Sequence, residues 1–197
     1  MSTPCRPKVA ISGGFLLLSA WFVYANGYQP FLLLLLASLL HEGGHLLALR
    51  CFGARVSAFR LTVFGAVLET ESRRLSYLRE LTAVLAGPCA NLACGALLAA
   101  CGQAWPALYR FAGAQFLLGA FNLLPVRPLD GGRAVELLTA FFLGPDAGER
   151  AASCSSCVCG LAASAAAAAL MLATGGSLWL LPAAAGLAAA AFPGRSR

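Results

Sequence analysis

The chain has 197 residues, of which 59% are hydrophobic and 11% charged, and its mean hydropathy is +0.77. Such a composition is far too apolar for an ordinary soluble domain and points to a membrane protein. The net charge of +6 then reads as a signal for membrane orientation, with no nucleic-acid partner expected.

Six apolar blocks follow one another: Val9 to Tyr24, Phe31 to Leu49, Leu81 to Cys101, Ala107 to Leu124, Val158 to Leu172 and Leu178 to Phe192. Each approaches the roughly 20 residues needed to cross a bilayer. The expected fold is an all-α polytopic membrane protein of about six transmembrane helices, with a short β-hairpin between the second and third. It forms one domain over 1–197, without a PDZ or CBS domain.

In the first block, Arg6 and Lys8 precede the apolar run, as in a signal peptide. No small-residue cleavage site follows Tyr24 and further apolar segments come after it, so a retained first span is expected. Between the second and third blocks, Val56 to Val63 and Ala66 to Thr70 are β-prone stretches separated by Gly65, which is the basis for the hairpin. An irregular amphipathic loop is the alternative, because the alternation is imperfect. The Ala-rich run Ala162 to Ala169 reads as a helix that packs closely on its neighbours. Eight cysteines lie mostly in or beside apolar blocks; Cys154, Cys157 and Cys159 form a short cluster with no second ligand pair and read as buried packing residues.

Charge placement agrees with this topology. With the N-terminus cytosolic, the cluster Arg50, Arg55, Arg60, Arg73, Arg74 and Arg79 lies inside with nearly every other basic residue, and Arg110 alone lies near the outer face. The positive-inside rule then puts both termini in the cytosol.

The chemistry concentrates in His41-Glu42-Gly43-Gly44-His45, an H-E-x-x-H sequence. Histidines four residues apart on a helix lie about 40° from each other around its axis, so both rings can reach one ion. Glu42 is placed to take a proton from a water molecule held beside the metal. These are the two histidines of the chain, and Glu42 is the one acidic residue of the Phe31 to Leu49 block, where an ionisable group is costly and by default functional. Nine residues separate Arg50 from His41, which puts the site about 14 Å into the bilayer at the rise of a helix.

A catalytic zinc site takes three protein ligands and leaves a position for water. With no third histidine, the remaining ligand is a cysteine or a carboxylate. Asp130, in Asn122-Leu-Leu-Pro125-Val-Arg-Pro128-Leu-Asp130-Gly131-Gly132-Arg133, is the best placed. Pro125 and Pro128 prevent a regular helix there, so the stretch can enter the membrane only where it packs in protein or lines a water-filled cavity.

The H-E-x-x-H motif, the Asn122-x-x-Pro125-x-x-Pro128-x-Asp130-Gly131 motif and Ala86-Gly87-Pro88-x-x-Asn91 between them together resemble the site-2 protease family of intramembrane zinc metalloproteases, over roughly Phe31 to Arg133. The short chain looks closest to the stage IV sporulation branch. The resemblance implies a metalloendopeptidase with Zn2+ held by His41, His45 and Asp130. Glu42 would be the catalytic acid/base, and Asn91 and Asn122 would shape the site or hold the substrate; a donor to the oxyanion is a further expected role for Asn91, with an interhelical contact as the alternative. It also implies a membrane-associated protein substrate cut within or near the bilayer, such as a sigma-factor precursor, together with regulatory membrane proteins and a place in the bacterial cytoplasmic membrane. One departure is that the sporulation branch often carries a cytosolic nucleotide-sensing domain, whereas this sequence ends at Arg197. From a different class, a catalytically silent zinc-binding membrane scaffold or a metal transporter is the alternative. Transport needs ionisable groups at several depths, and here they cluster at one.

Overall fold

The structure, a computed structural model, describes residues 8–62, 65–71, 75–173 and 185. In chain order its elements are β1 (Lys8–Ile11), α1 (Gly13–Asn26), α2 (Tyr28–Cys51), β2 (Arg55–Thr62), β3 (Gly65–Glu71), α3 (Tyr77–Cys101), α4 (Ala107–Asn122), α5 (Asp130–Leu143) and α6 (Pro145–Ala173).

Three of the described helices, α2, α3 and α6, are long and apolar enough to cross a membrane, which makes this a membrane protein. The expectation of about six spans is therefore corrected. The first apolar block divides, because Lys8–Ile11 leaves it to pair with β2. What remains is the 14-residue α1, about 21 Å at 1.5 Å per residue, against a hydrocarbon core of about 30 Å. The 16 residues of α4 reach about 24 Å by the same measure. The fifth block is the C-terminal half of a single 29-residue helix, α6, that starts at Pro145. Apart from residue 185, the expected span Leu178 to Phe192 lies outside the described residues.

The sheet has the strand order β1-β2-β3. Strands β2 and β3 pair antiparallel from Thr62 opposite Gly65 to Arg55 opposite Glu71, with a shift in register between Val56 and Ala58. On the other side of β2, β1 pairs in parallel, Lys8 opposite Ala58 and Ile11 opposite Leu61. The sheet therefore follows directly on the C-terminal end of α2.

The helices turn their large apolar side chains outward: Leu17, Leu47, Leu97 and Leu172 are 75%, 67%, 69% and 83% exposed. That is the surface a lipid environment selects. Their buried stripes are small or polar and repeat at helical spacing: Ala37, His41 and His45 on α2; Ala83, Gly87, Asn91 and Gly95 on α3; Ala112, Gln115 and Gly119 on α4. Small residues let helix backbones approach closely where apolar packing gives no advantage over lipid. At Gly44, a Cβ would come 2.6 Å from the Ala86 carbonyl oxygen, which shows how tightly α2 and α3 meet in the turn between the two histidines.

Candidate metal centre

The three buried stripes converge on His41 and His45. In each ring Nδ1 faces a partner whose chemistry fixes the proton. His45 Nδ1 lies 2.8 Å from the carbonyl oxygen of Ala83. A carbonyl only accepts, so Nδ1 carries the hydrogen and Nε2 presents a lone pair. His41 is set by one more step. Asn91 Nδ2 donates to the Ala37 carbonyl at 3.0 Å, which orients the amide so that Oδ1 faces His41 Nδ1 at 2.6 Å. His41 Nδ1 therefore donates, and its Nε2 is again bare.

The two bare nitrogens point at each other and at one carboxylate. His41 Nε2 and His45 Nε2 are 3.1 Å apart, and Asp130 Oδ2 lies 3.0 Å from the first and 3.3 Å from the second. This oxygen is buried and receives no hydrogen bond among the described residues. Three lone pairs brought together in a low-dielectric site repel one another unless a positive charge lies among them. Among the described residues, His41, His45 and Asp130 form the one group of three or more His, Cys, Asp or Glu residues able to share a metal ion. Glu42, partly buried, is close enough to interact electrostatically with all three.

Asp130 is delivered by a turn that needs its glycines. After α4 the chain makes close bonds, Val126 N–H to the Leu124 carbonyl at 2.7 Å and Leu129 N–H to the Val126 carbonyl at 2.8 Å. Val126 and Leu129 are buried against Phe121, Leu124, Cys159 and Ala163, and the Arg127 N–H donates to Ser156 Oγ on α6 at 2.8 Å. This strap folds back over the first turn of α5. A Cβ on Gly131 would strike the Leu123 carbonyl, and one on Gly132 would come 2.6 Å from the Val126 carbonyl carbon. Asp130 is thereby held as the first residue of α5, and Arg133, one turn on, bonds Glu80 of α3 at 2.5 Å and Glu136 at 2.7 Å.

No protein-family model matches the chain. It is 35% identical over 135 residues to the putative zinc metalloprotease Rip3 of Mycobacterium tuberculosis, covering 63% of this chain and 33% of that protein. It is 30% identical over 115 residues to the zinc metalloprotease MJ0392 of Methanocaldococcus jannaschii, covering 55% and 33%. The chain thus spans about a third of the length of these curated relatives. The solved structure of a site-2 protease from Methanocaldococcus jannaschii superposes with a TM-score of 0.65 at 20% identity, over 97% of this chain and 91% of that one. The chain has a site-2 protease fold.

Within that fold the structure brings His41, His45, Asp130 and Asn91 into one group, with Glu42 beside it. Asn122 stands apart from these contacts: its Nδ2 donates to the Leu118 carbonyl one turn back on α4, at 3.1 Å. Three contributors were given no role from the sequence, although Gly87 stands in the Ala86-Gly87-Pro88-x-x-Asn91 motif. Gly87 makes room for the His45 ring, since a Cβ there would overlap Nε2 and come 2.6 Å from Cε1. The Ala83 carbonyl is main chain and has no letter in the sequence. Gln115, fully buried, takes an N–H of Asn91 on Oε1 at 2.5 Å; a glutamine inside an apolar block was the available signal. The cysteines at 154, 157 and 159 do not form a metal group among the described residues.

Proposed function

We propose that this protein is a zinc-dependent intramembrane endopeptidase that cleaves a membrane-associated protein within or near the bilayer. The observation that carries the reading is the convergence of His41 Nε2, His45 Nε2 and Asp130 Oδ2 at 3.0 to 3.3 Å from one another. A tetrahedral ion with ligand bonds of about 2.0–2.2 Å spaces its ligands about 3.3–3.6 Å apart, so the donor set fits zinc in kind and nearly in size. His41, His45 and Asp130 would hold the ion, which when bound acidifies water and polarises the scissile carbonyl.

The chain's own residues do the rest. Glu42, next to His41 in sequence, takes the proton of the attacking water and returns it to the leaving amine. Nδ1–H donation by both histidines keeps Nε2 available, and the main-chain carbonyl at Ala83 holds the His45 ring in that state. Both amide hydrogens of Asn91 are engaged, with Ala37 and Gln115, so Asn91 serves by orienting His41 and not by donating to an oxyanion. Asn122 is the remaining side chain proposed to hold substrate. An extended peptide can pair with the outer edge of β3, because β2 is paired on both sides. Proline substitutions across Arg60 to Leu68 that left cleavage unchanged would remove that part of the proposal.

The resemblance to the sporulation branch supports a sigma-factor precursor as the first substrate to try, in a bacterial cytoplasmic membrane. Purified protein carrying Glu42→Gln should retain zinc and lose cleavage of the co-expressed precursor. Equal cleavage by the variant would leave a silent zinc-binding scaffold as the better reading. A transporter is disfavoured by the single ligand group among the described residues.

A further inference from the structure

Gln115 has no part in the hydrolysis outlined above. It lies on α4 between the buried Ala112 and Gly119, with no exposed surface. Its Oε1 accepts from Asn91 at 2.5 Å, while its own Nε2 has no partner among the described residues. A buried amide that leaves half of its hydrogen-bonding capacity unused carries a desolvation cost, so its contribution lies in the half that is used.

That half acts on Asn91. The Asn91 amide nitrogen has two hydrogens: the Ala37 carbonyl takes one and Gln115 Oε1 the other. Without Gln115 the second hydrogen of the fully buried Asn91 would lose its acceptor. The amide would then gain by rotating toward another acceptor, carrying Oδ1 away from His41 Nδ1. We propose that Gln115 is a positioning residue that locks Asn91, and through it His41, in the metal-binding orientation. Three helices thereby set one imidazole: α2 supplies the ring, α3 the amide that orients it, and α4 the acceptor that holds the amide. The inference rests on the metal-centre reading and extends it one residue outward.

The test uses the full chain in detergent and measures zinc affinity by chelator competition and the visible spectrum of the Co2+-loaded protein. Gln115→Met keeps the length of the side chain and removes its acceptor. It should weaken zinc binding by about 10-fold, the low end for residues behind a ligand, and alter the cobalt spectrum. Gln115→Glu keeps an oxygen toward Asn91 in either protonation state and should restore both. In an Asn91→Ala background, Gln115→Met should add nothing. If the methionine variant does not fold, Gln115→Leu takes its place with the same expected results. Wild-type affinity and spectrum in the variant that lacks the acceptor would overturn the proposal, as would a glutamate variant no better than it or an additive loss in the Asn91→Ala background. Wild-type protein that takes up no metal would overturn the metal-centre reading itself, and this inference with it.

Discussion

At Gly87 a single methyl group separates two opposing effects. Alanine is the better helix former by about 1 kcal/mol, yet its Cβ would press on the His45 ring, 2.6 Å from Cε1. Gly87→Ala should therefore keep or raise helical content by circular dichroism while bound metal falls at least 10-fold, as expected when a ligand loses its orientation. Asp130→Asn separates stability from binding in another way. The substitution removes the one carboxylate of the three grouped side chains. Chelator should lower the midpoint of the wild type, because an ion bound only to the native state stabilises it, and leave that of the variant unchanged. At this scale the sequence was informative wherever spacing alone decides, as for His41 and His45. It was silent on what each Nδ1 meets, because Ala83 is 38 residues away from its histidine and contributes an atom that every residue possesses.

Helix α5 enters the site only by its first residue, so its placement is what the element must secure. Arg133 joins it to α3 through Glu80, and Arg127 and Arg133 both pair with Glu136. The Arg133 and Glu80 side chains are 45% and 33% exposed, and such a pair contributes only about 0.2–1 kcal/mol to stability. Arg133→Ala should therefore unfold at nearly the wild-type temperature while metal affinity drops several-fold, and Glu80→Gln should reproduce the drop. High salt should narrow the difference between wild type and variant, since it screens the partly exposed pair; chelator competition at two ionic strengths reads it. Hydropathy located α2 and α3 because those runs are long and continuous, and found only the C-terminal half of α6, whose first turns are polar. It overextended the first block, since a strand pairing with residues about 50 positions later leaves no mark on local hydropathy. The prolines at 125 and 128 announced a break, but where the helix resumes, at Asp130, depends on the strap packing against α6.

For the whole molecule, leucines face outward and histidines, asparagine and glutamine inward, an inversion that only a lipid surround makes favourable. The chain should remain in the membrane fraction after alkaline carbonate extraction. Helices α2 and α3 are each long and apolar enough to cross, and crossing by both predicts that Cys51 at the end of α2 and Cys101 at the end of α3, whose side chains are exposed, lie on opposite faces. In single-cysteine variants in sealed vesicles, a membrane-impermeant maleimide should label one and not the other; labelling of both from one side would refute the crossing of α3. The basic cluster beginning at Arg50 predicts that Cys51 is the one on the cytosolic side. Orientation is a reading from charge that the labelling experiment tests, whereas counting the helices able to cross required knowing which apolar blocks are helical from end to end.

The oxygens of Ala37 and Ala83 have a consequence for how such a site can change over generations. Mutation rewrites side chains, and neither alanine lends its side chain to the bond it makes. Any small residue that leaves the two helices in place passes on the same two acceptors, so the protonation state of His45, and the acceptor that aims Asn91 at His41, descend with the fold through positions whose letters carry no trace of them.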